Sequence, residues 1–135
     1  DYTFHICITR YNEHKDQIKG MVDRGFSTFK EFMIYESEGW QSDDRALFGT
    51  LEKMKEFGTM LLVHAESSRV LDELIERHHT PELMKQYGAR LHRMTRPNFI
   101  ESEAIQRVVT WSEATGCQPY IGHMSPAQGT EHGAP

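Results

Sequence analysis

The sequence lacks what would send it to a membrane, to nucleic acid or to an oxidising compartment. Its longest apolar runs, such as Met60-Leu61-Leu62-Val63, fall far short of the roughly 20 residues a helix needs to cross a bilayer. No signal-peptide pattern opens it. No basic stripe stands out, and a formal net charge of −5 argues against a polyanionic partner. Cysteine is scarce: Cys7 and Cys117 are the two in 135 residues. They form no spacing motif and are expected as reduced thiols in the core. There is no low-complexity segment. These absences favour a cytoplasmic protein with neither membrane nor nucleic acid as partner. What is present is globular: 38% hydrophobic and 26% charged residues exclude a disordered chain and allow one ordinary core. The chain begins at Asp1 rather than Met and ends in a polar, glycine-containing stretch over residues 128–135. Both ends are expected to be cuts, so that residues 1–135 form a single segment of a larger domain.

Two periods alternate along the chain. Residues 4–9 are apolar and β-prone and predict a strand. Residues 12–24 place Ile18, Met21 and Val22 at helical spacing, and Gly25 follows as a stop. Residues 26–35 predict a second strand. Residues 42–57 set Leu47, Leu51, Met54 and Phe57 roughly on one helical face before Gly58. Residues 59–65 predict a third strand, whose continuous apolar run suits burial on both faces. A helix is expected over 67–78. Another opens at Thr80-Pro81-Glu82, with threonine as N-cap and proline in the first helical position. Asn98-Phe99-Ile100-Glu101 resembles a capping box, opening a helix with Ala104, Ile105, Val108 and Val109 that Gly116 ends. Residues 118–124 predict the fourth strand. This rhythm implies α/β architecture with right-handed βα units and a parallel sheet. The sheet is either small and open or half of an eight-stranded barrel.

In such folds chemistry gathers at the C-terminal ends of the strands. The second strand carries Lys30 and ends at Tyr35. The third ends in Val63-His64-Ala65-Glu66, the fourth in Gly122-His123-Met124-Ser125. A single strand-end histidine is commonly structural, and a lysine between Phe29 and Phe32 can pack its stem and send its amine to solvent. Together the three positions point to one mouth. An ammonium has no lone pair for a metal. A neutral amine can add carbon dioxide, however, and the carbamate is an anion with two oxygens. With two imidazoles it forms a plausible metal half-site.

The segments Asp1-Tyr2-Thr3-Phe4-His5, Phe29-Lys30-Glu31-Phe32-Met33-Ile34-Tyr35, Val63-His64-Ala65-Glu66, Arg96-Pro97 with Glu101 and Glu103-Ala104, and Gly122-His123-Met124-Ser125 occur in order. In this the chain resembles the hydantoinase and dihydropyrimidinase family of metal-dependent cyclic amidohydrolases. The resemblance implies the central βα units of a TIM-like (β/α)8 barrel. It implies two divalent metal ions, usually zinc, bridged by a carboxylated Lys30, with His64 and His123 as ligands of the second ion. Tyr35 is implied as the hydroxyl that binds substrate and steadies the oxyanion. It also implies a small cyclic amide substrate and a homo-oligomer, by family a tetramer. The family's His-x-His pair and its late aspartate are absent from these residues, so the segment alone is expected to be inactive. Glu36 stands where hydantoinases often carry lysine, and Ser125-Pro126 departs from the usual small polar pair; both changes bear on substrate range. His78-His79 is expected at the surface. His5 is expected as strand packing, and Glu66 as support for His64. Two other readings are a non-enzymatic scaffold on the same fold and an allantoinase- or dihydroorotase-type hydrolase. Retention of Lys30, His64 and His123 speaks against the scaffold; Tyr35 and the Asp1-Tyr2 start lean away from the other hydrolases.

Overall fold

The computed structural model describes residues 2–125. Asp1, Pro126 and the polar stretch 128–135 lie outside the described residues. The chain runs β1 (Ile6–Cys7), α1 (Tyr11–His14), α2 (Ile18–Asp23), β2 (Thr28–Phe32), α3 (Asp44–Phe57), β3 (Met60–His64) and α4 (Ser68–His78). It continues through α5 (Pro81–Tyr87), a 3-10 turn (Gly88–Arg90), α6 (Leu91–Thr95), α7 (Asn98–Thr115) and β4 (Tyr120–Ile121). All strand pairings are parallel and follow chain order, β1-β2-β3-β4. With the usual right-handed crossover, consecutive parallel strands put their connecting helices on one side of the sheet, and α3 and α7 pack together against β2 and β3. This is the arc of a barrel, because a doubly wound sheet reverses its strand order midway.

The core fills that side only. Phe29 of β2 and Leu61 and Val63 of β3 pack with Leu47, Leu51 and Met54 of α3 and with Ala104, Ile105 and Val108 of α7. Asp43 caps α3 by accepting the amide of Ala46 at 2.8 Å. Gly58 at φ 65° and Gly116 at φ 67° end α3 and α7 in the left-handed conformation, which a β-carbon disfavours. Thr80 caps α5 as the sequence predicts, accepting from the amide of Leu83.

The opposite face behaves differently from the sequence expectation. β3 is buried on alternate residues, not on both faces: Leu61 and Val63 are 0% exposed while Met60 is 42% exposed. The face that carries Met60 is covered at its His64 end by the rings of Tyr35 and His123, and elsewhere is left open, with Lys30, Phe32 and Leu62 only half-buried. The strands are shorter than their apolar runs, although single backbone bonds continue past the ladders, as from Ile8 N to Lys30 O and from Met33 N to His64 O. The helix expected over 12–24 is broken by a turn between His14 and Ile18. Asn98 is no cap: Pro97, in extended conformation, takes the N-cap position without a side-chain bond, and α7 begins at Asn98. Cys7 is exposed while Cys117 is buried. His5 precedes β1, is exposed, and bonds Thr28 Oγ1 at 2.8 Å. The short helix α6 has no counterpart in the sequence reading. Among the described residues no helix is long and apolar enough to cross a membrane.

Candidate functional site

Register decides which side chains share the uncovered face. Lys30 pairs with Leu62 and Phe32 with His64, so Lys30, Phe32, Leu62 and His64 project to the same side. Cys7, paired with Lys30, joins them. β4 ends one residue before Gly122, whose amide donates to Val63 O at 3.0 Å, holding the loop after β4 against β3. By simple alternation His123 would follow Ile121 towards the helices. Instead its backbone takes φ 42°, and its ring turns back to His64. Its Nε2 lies 2.9 Å from His64 Nδ1, with ring centroids 4.6 Å apart.

The second non-glycine residue with positive φ among those described is Tyr35, at φ 73°. It follows β2 in a turn closed by the Trp40 amide on Tyr35 O at 3.1 Å. Its ring packs 5.5 Å from His64 and 5.6 Å from Phe32. Left-handed backbone at a bulky residue costs about 1–2 kcal/mol and persists only where surroundings impose it. Both strained residues here flank His64.

His64 itself is 8% exposed and hydrogen-bonded at both nitrogens. Its Nε2 lies 2.7 Å from Glu66 Oε2. An ionised carboxylate only accepts, so Nε2 carries the hydrogen and Nδ1 keeps its lone pair towards His123. Burial pushes the Glu66 carboxyl up, but the His64 hydrogen bond and the nearby Arg96 charge hold it below the usual range. Glu66 Oε1 meets Arg96 Nε at 3.3 Å.

Lys30 extends its amine 4.8 Å from the Phe32 ring centroid. A Cβ on Gly122 would make ordinary contact with Nζ at 3.6 Å, so the loop after β4 lies directly beside the amine. Burial lowers the lysine pKa, with Cys7 opposing. That favours the neutral amine, the form that reacts with carbon dioxide.

The donor set suits half a metal site. Two imidazole nitrogens 2.9 Å apart are within reach of one ion at ordinary bond lengths of about 2.0–2.1 Å. Among the described residues, no cluster of three or more His, Cys, Asp or Glu is placed to hold a metal ion. The two imidazoles alone are therefore an incomplete ligand set. The structure brings Tyr35, His64 and His123 together at one strand-end mouth, with Lys30 on the same face. It leaves His78 and His79 at the end of α4. Glu36 accepts from both terminal guanidinium nitrogens of Arg69 and thus ties the turn after β2 to α4.

Sequence reasoning passed over two features. Glu31 lies on the helix side of β2, 0% exposed, and accepts from Thr50 Oγ1 at 2.7 Å. Its other oxygen has no partner. Burial, eased by Thr50 and Ser42 and reinforced by Asp43, raises its pKa to about 8. The alternation that puts Lys30 towards the open face puts Glu31 inside, so period two was the available signal. The contact of Arg96 with Glu66 spans 30 positions and left no local trace.

No family model matches the chain. It is 35% identical to a D-hydantoinase of Geobacillus stearothermophilus over 97% of this chain and 27% of that protein. It is 30% identical to an allantoinase of Desulfitobacterium hafniense, over 97% of this chain and 28% of the other. Among solved structures it superposes on a D-hydantoinase (dihydropyrimidinase) from Thermus sp. with TM-score 0.86 and 28% identity, covering 98% of this chain and 28% of that one. The chain thus spans little more than a quarter of the length of the relatives it matches.

Proposed function

Starting from a chain that belongs, as one segment, to the hydantoinase and dihydropyrimidinase family, we propose that it supplies the second-metal half of a cyclic amidohydrolase site. The reading extends to the domain: residues 1–135 are central βα units of a barrel whose remaining strands cover the open face. The observation that carries the reading is the approach of His123 Nε2 to His64 Nδ1, made by a strained backbone at His123.

In this proposal His64 Nδ1 and His123 Nε2 hold one ion. The neutral Lys30 amine attacks carbon dioxide, forms a nitrogen–carbon bond and releases a proton. The resulting carbamate would join the two histidines in holding divalent metal, to be probed as zinc. When bound, the ions supply a water that ionises near neutral pH and a Lewis acid for the ring carbonyl. The Tyr35 hydroxyl donates to the oxygen on which negative charge develops, and Phe32, Tyr35 and Trp40 form an aromatic wall beside it. The substrate is a small cyclic amide, a hydantoin or dihydropyrimidine ring. The similarity to an allantoinase supports a second reading in which the ring is allantoin. A cytoplasmic homo-oligomer belongs to the same proposal.

The test uses the full-length protein that contains this chain. Metal content is measured first, then turnover of hydantoin, dihydrouracil and allantoin. About two zinc ions per chain with metal-dependent opening of the first two rings is expected. A metal-free protein that turns over none of them rejects the proposal, leaving the scaffold reading. Preference for allantoin selects the second reading.

A further inference from the structure

We infer that Arg96, acting through Glu66, is a positioning residue that selects which ring nitrogen of His64 faces the ion; the inference rests on the metal reading above. The three side chains form a chain of contacts. Arg96 Nε meets Glu66 Oε1 at 3.3 Å, and Glu66 Oε2 meets His64 Nε2 at 2.7 Å. Their side chains are 21%, 13% and 11% exposed, so water competes poorly for either contact. Each carboxylate oxygen serves one partner. With Oε1 engaged by the guanidinium, the carboxylate cannot swing away from the imidazole without giving up that ion pair.

The consequence falls on the tautomer. Facing an acceptor-only carboxylate, the neutral ring places its hydrogen on Nε2, and Nδ1 is left as a lone pair aimed at His123. A ring free to choose would spend part of its time with hydrogen on Nδ1, where it blocks an ion. Partners of this kind on the far nitrogen typically change metal affinity by about 10- to 100-fold.

Arg96 is well held for the task. It follows Thr95, which is 0% exposed and whose hydroxyl bonds the carbonyls of Leu91 and His92, so the end of α6 is anchored. The same corner reaches the other histidine. Glu101, in the first turn of α7, accepts the amide of Ser125 at 3.0 Å, two residues beyond His123. One corner between α6 and α7 therefore fixes the ring of His64 and the loop of His123.

The experiment uses the full-length protein, stripped of metal and then titrated with zinc against a competing chelator. The ring tautomer of His64 is read from nitrogen NMR in the metal-free state. Wild type should show a single Nε2–H form. Arg96→Gln should give a mixture and lose about 10-fold or more in zinc affinity. Arg96→Lys restores the charge without the planar fork and should recover part of both. Glu66→Gln, whose amide can donate to Nε2, should drive the ring to the Nδ1–H form. If Arg96→Gln does not fold, the lysine and Glu66→Gln variants carry the comparison. A single Nε2–H form with wild-type zinc affinity in Arg96→Gln overturns the inference, as does a tautomer shift without loss of affinity. His64→Asn tests the metal reading separately: unchanged zinc content there removes the site itself.

Discussion

Replacing Glu31 by glutamine should change how stability depends on pH. Glu31 is fully buried beneath α3, and its pKa is raised from 4.5 to about 8. Below pH 4.5 the folded and unfolded chains both hold the proton, and the group costs nothing. Between pH 4.5 and about 8 the unfolded chain releases the proton while the folded one keeps it. Stability therefore falls as pH rises through this window, then levels off once the folded form also ionises. Each pH unit corresponds to about 1.4 kcal/mol, so the penalty is about 3 kcal/mol at pH 7 and about 5 kcal/mol near pH 8. Against a typical stability of about 5–15 kcal/mol that is a large fraction. Glu31→Gln keeps the acceptor for Thr50 and has no proton to lose. Its amide hydrogens add a roughly constant offset, so the diagnostic is the slope. Urea unfolding of both proteins, in full-length form, at half-unit steps from pH 4.5 to 8.5 gives the difference directly. The advantage of the variant should grow with pH through the window. A difference that stays flat would refute the assignment of a neutral, buried carboxyl.

Three further outcomes bear on the open face. Lys30→Ala and Lys30→Arg should each lower bound metal, because neither side chain can form a carbamate; added short carboxylic acids should restore part of it in Lys30→Ala only, and full zinc occupancy in Lys30→Arg would make the lysine structural. Tyr35→Phe should lower kcat about 100-fold with bound metal unchanged, as expected for loss of one oxyanion donor; an unaltered kcat removes Tyr35 from the chemistry. Gly122→Val adds methyl groups beyond a β-carbon that would already touch the Lys30 amine, and should reduce metal uptake while the protein still unfolds cooperatively. Normal zinc content in Gly122→Val would show that the amine can give way without loss of the site.

Much of the fold was legible because it is periodic. Leu47, Leu51 and Met54 repeat at helical spacing and do pack as one face, and Gly58 and Gly116 end helices where strands follow. Element edges were less legible, since pairing partners rather than composition end a strand: residues 4–9 read as β, yet the ladder holds only Ile6–Cys7. The cap at Asn98 failed because Pro97, already extended, starts the helix one residue earlier. At the site, His64 and His123 could be placed at strand ends from sequence. Their approach could not, because it depends on φ 42° at His123, a backbone choice no residue type announces. Arg96 was visible only as half of Arg96-Pro97, since its contact with Glu66 is made by tertiary packing.

The order of the strands also has a bearing on how the molecule comes to be folded. Each strand hydrogen-bonds to its immediate successor in the chain, so no strand waits for a distant partner. Parallel pairing is slow when it must close long loops, and here each closure spans a single crossover. During synthesis β2 would present Lys30 first, β3 would add His64 beside it, and the loop after β4 would bring His123 last, once α6 and α7 had formed the corner that receives it. Pulse-labelled hydrogen exchange should then show protection spreading from β2–β3 outwards, with the segment after β4 the last to be guarded.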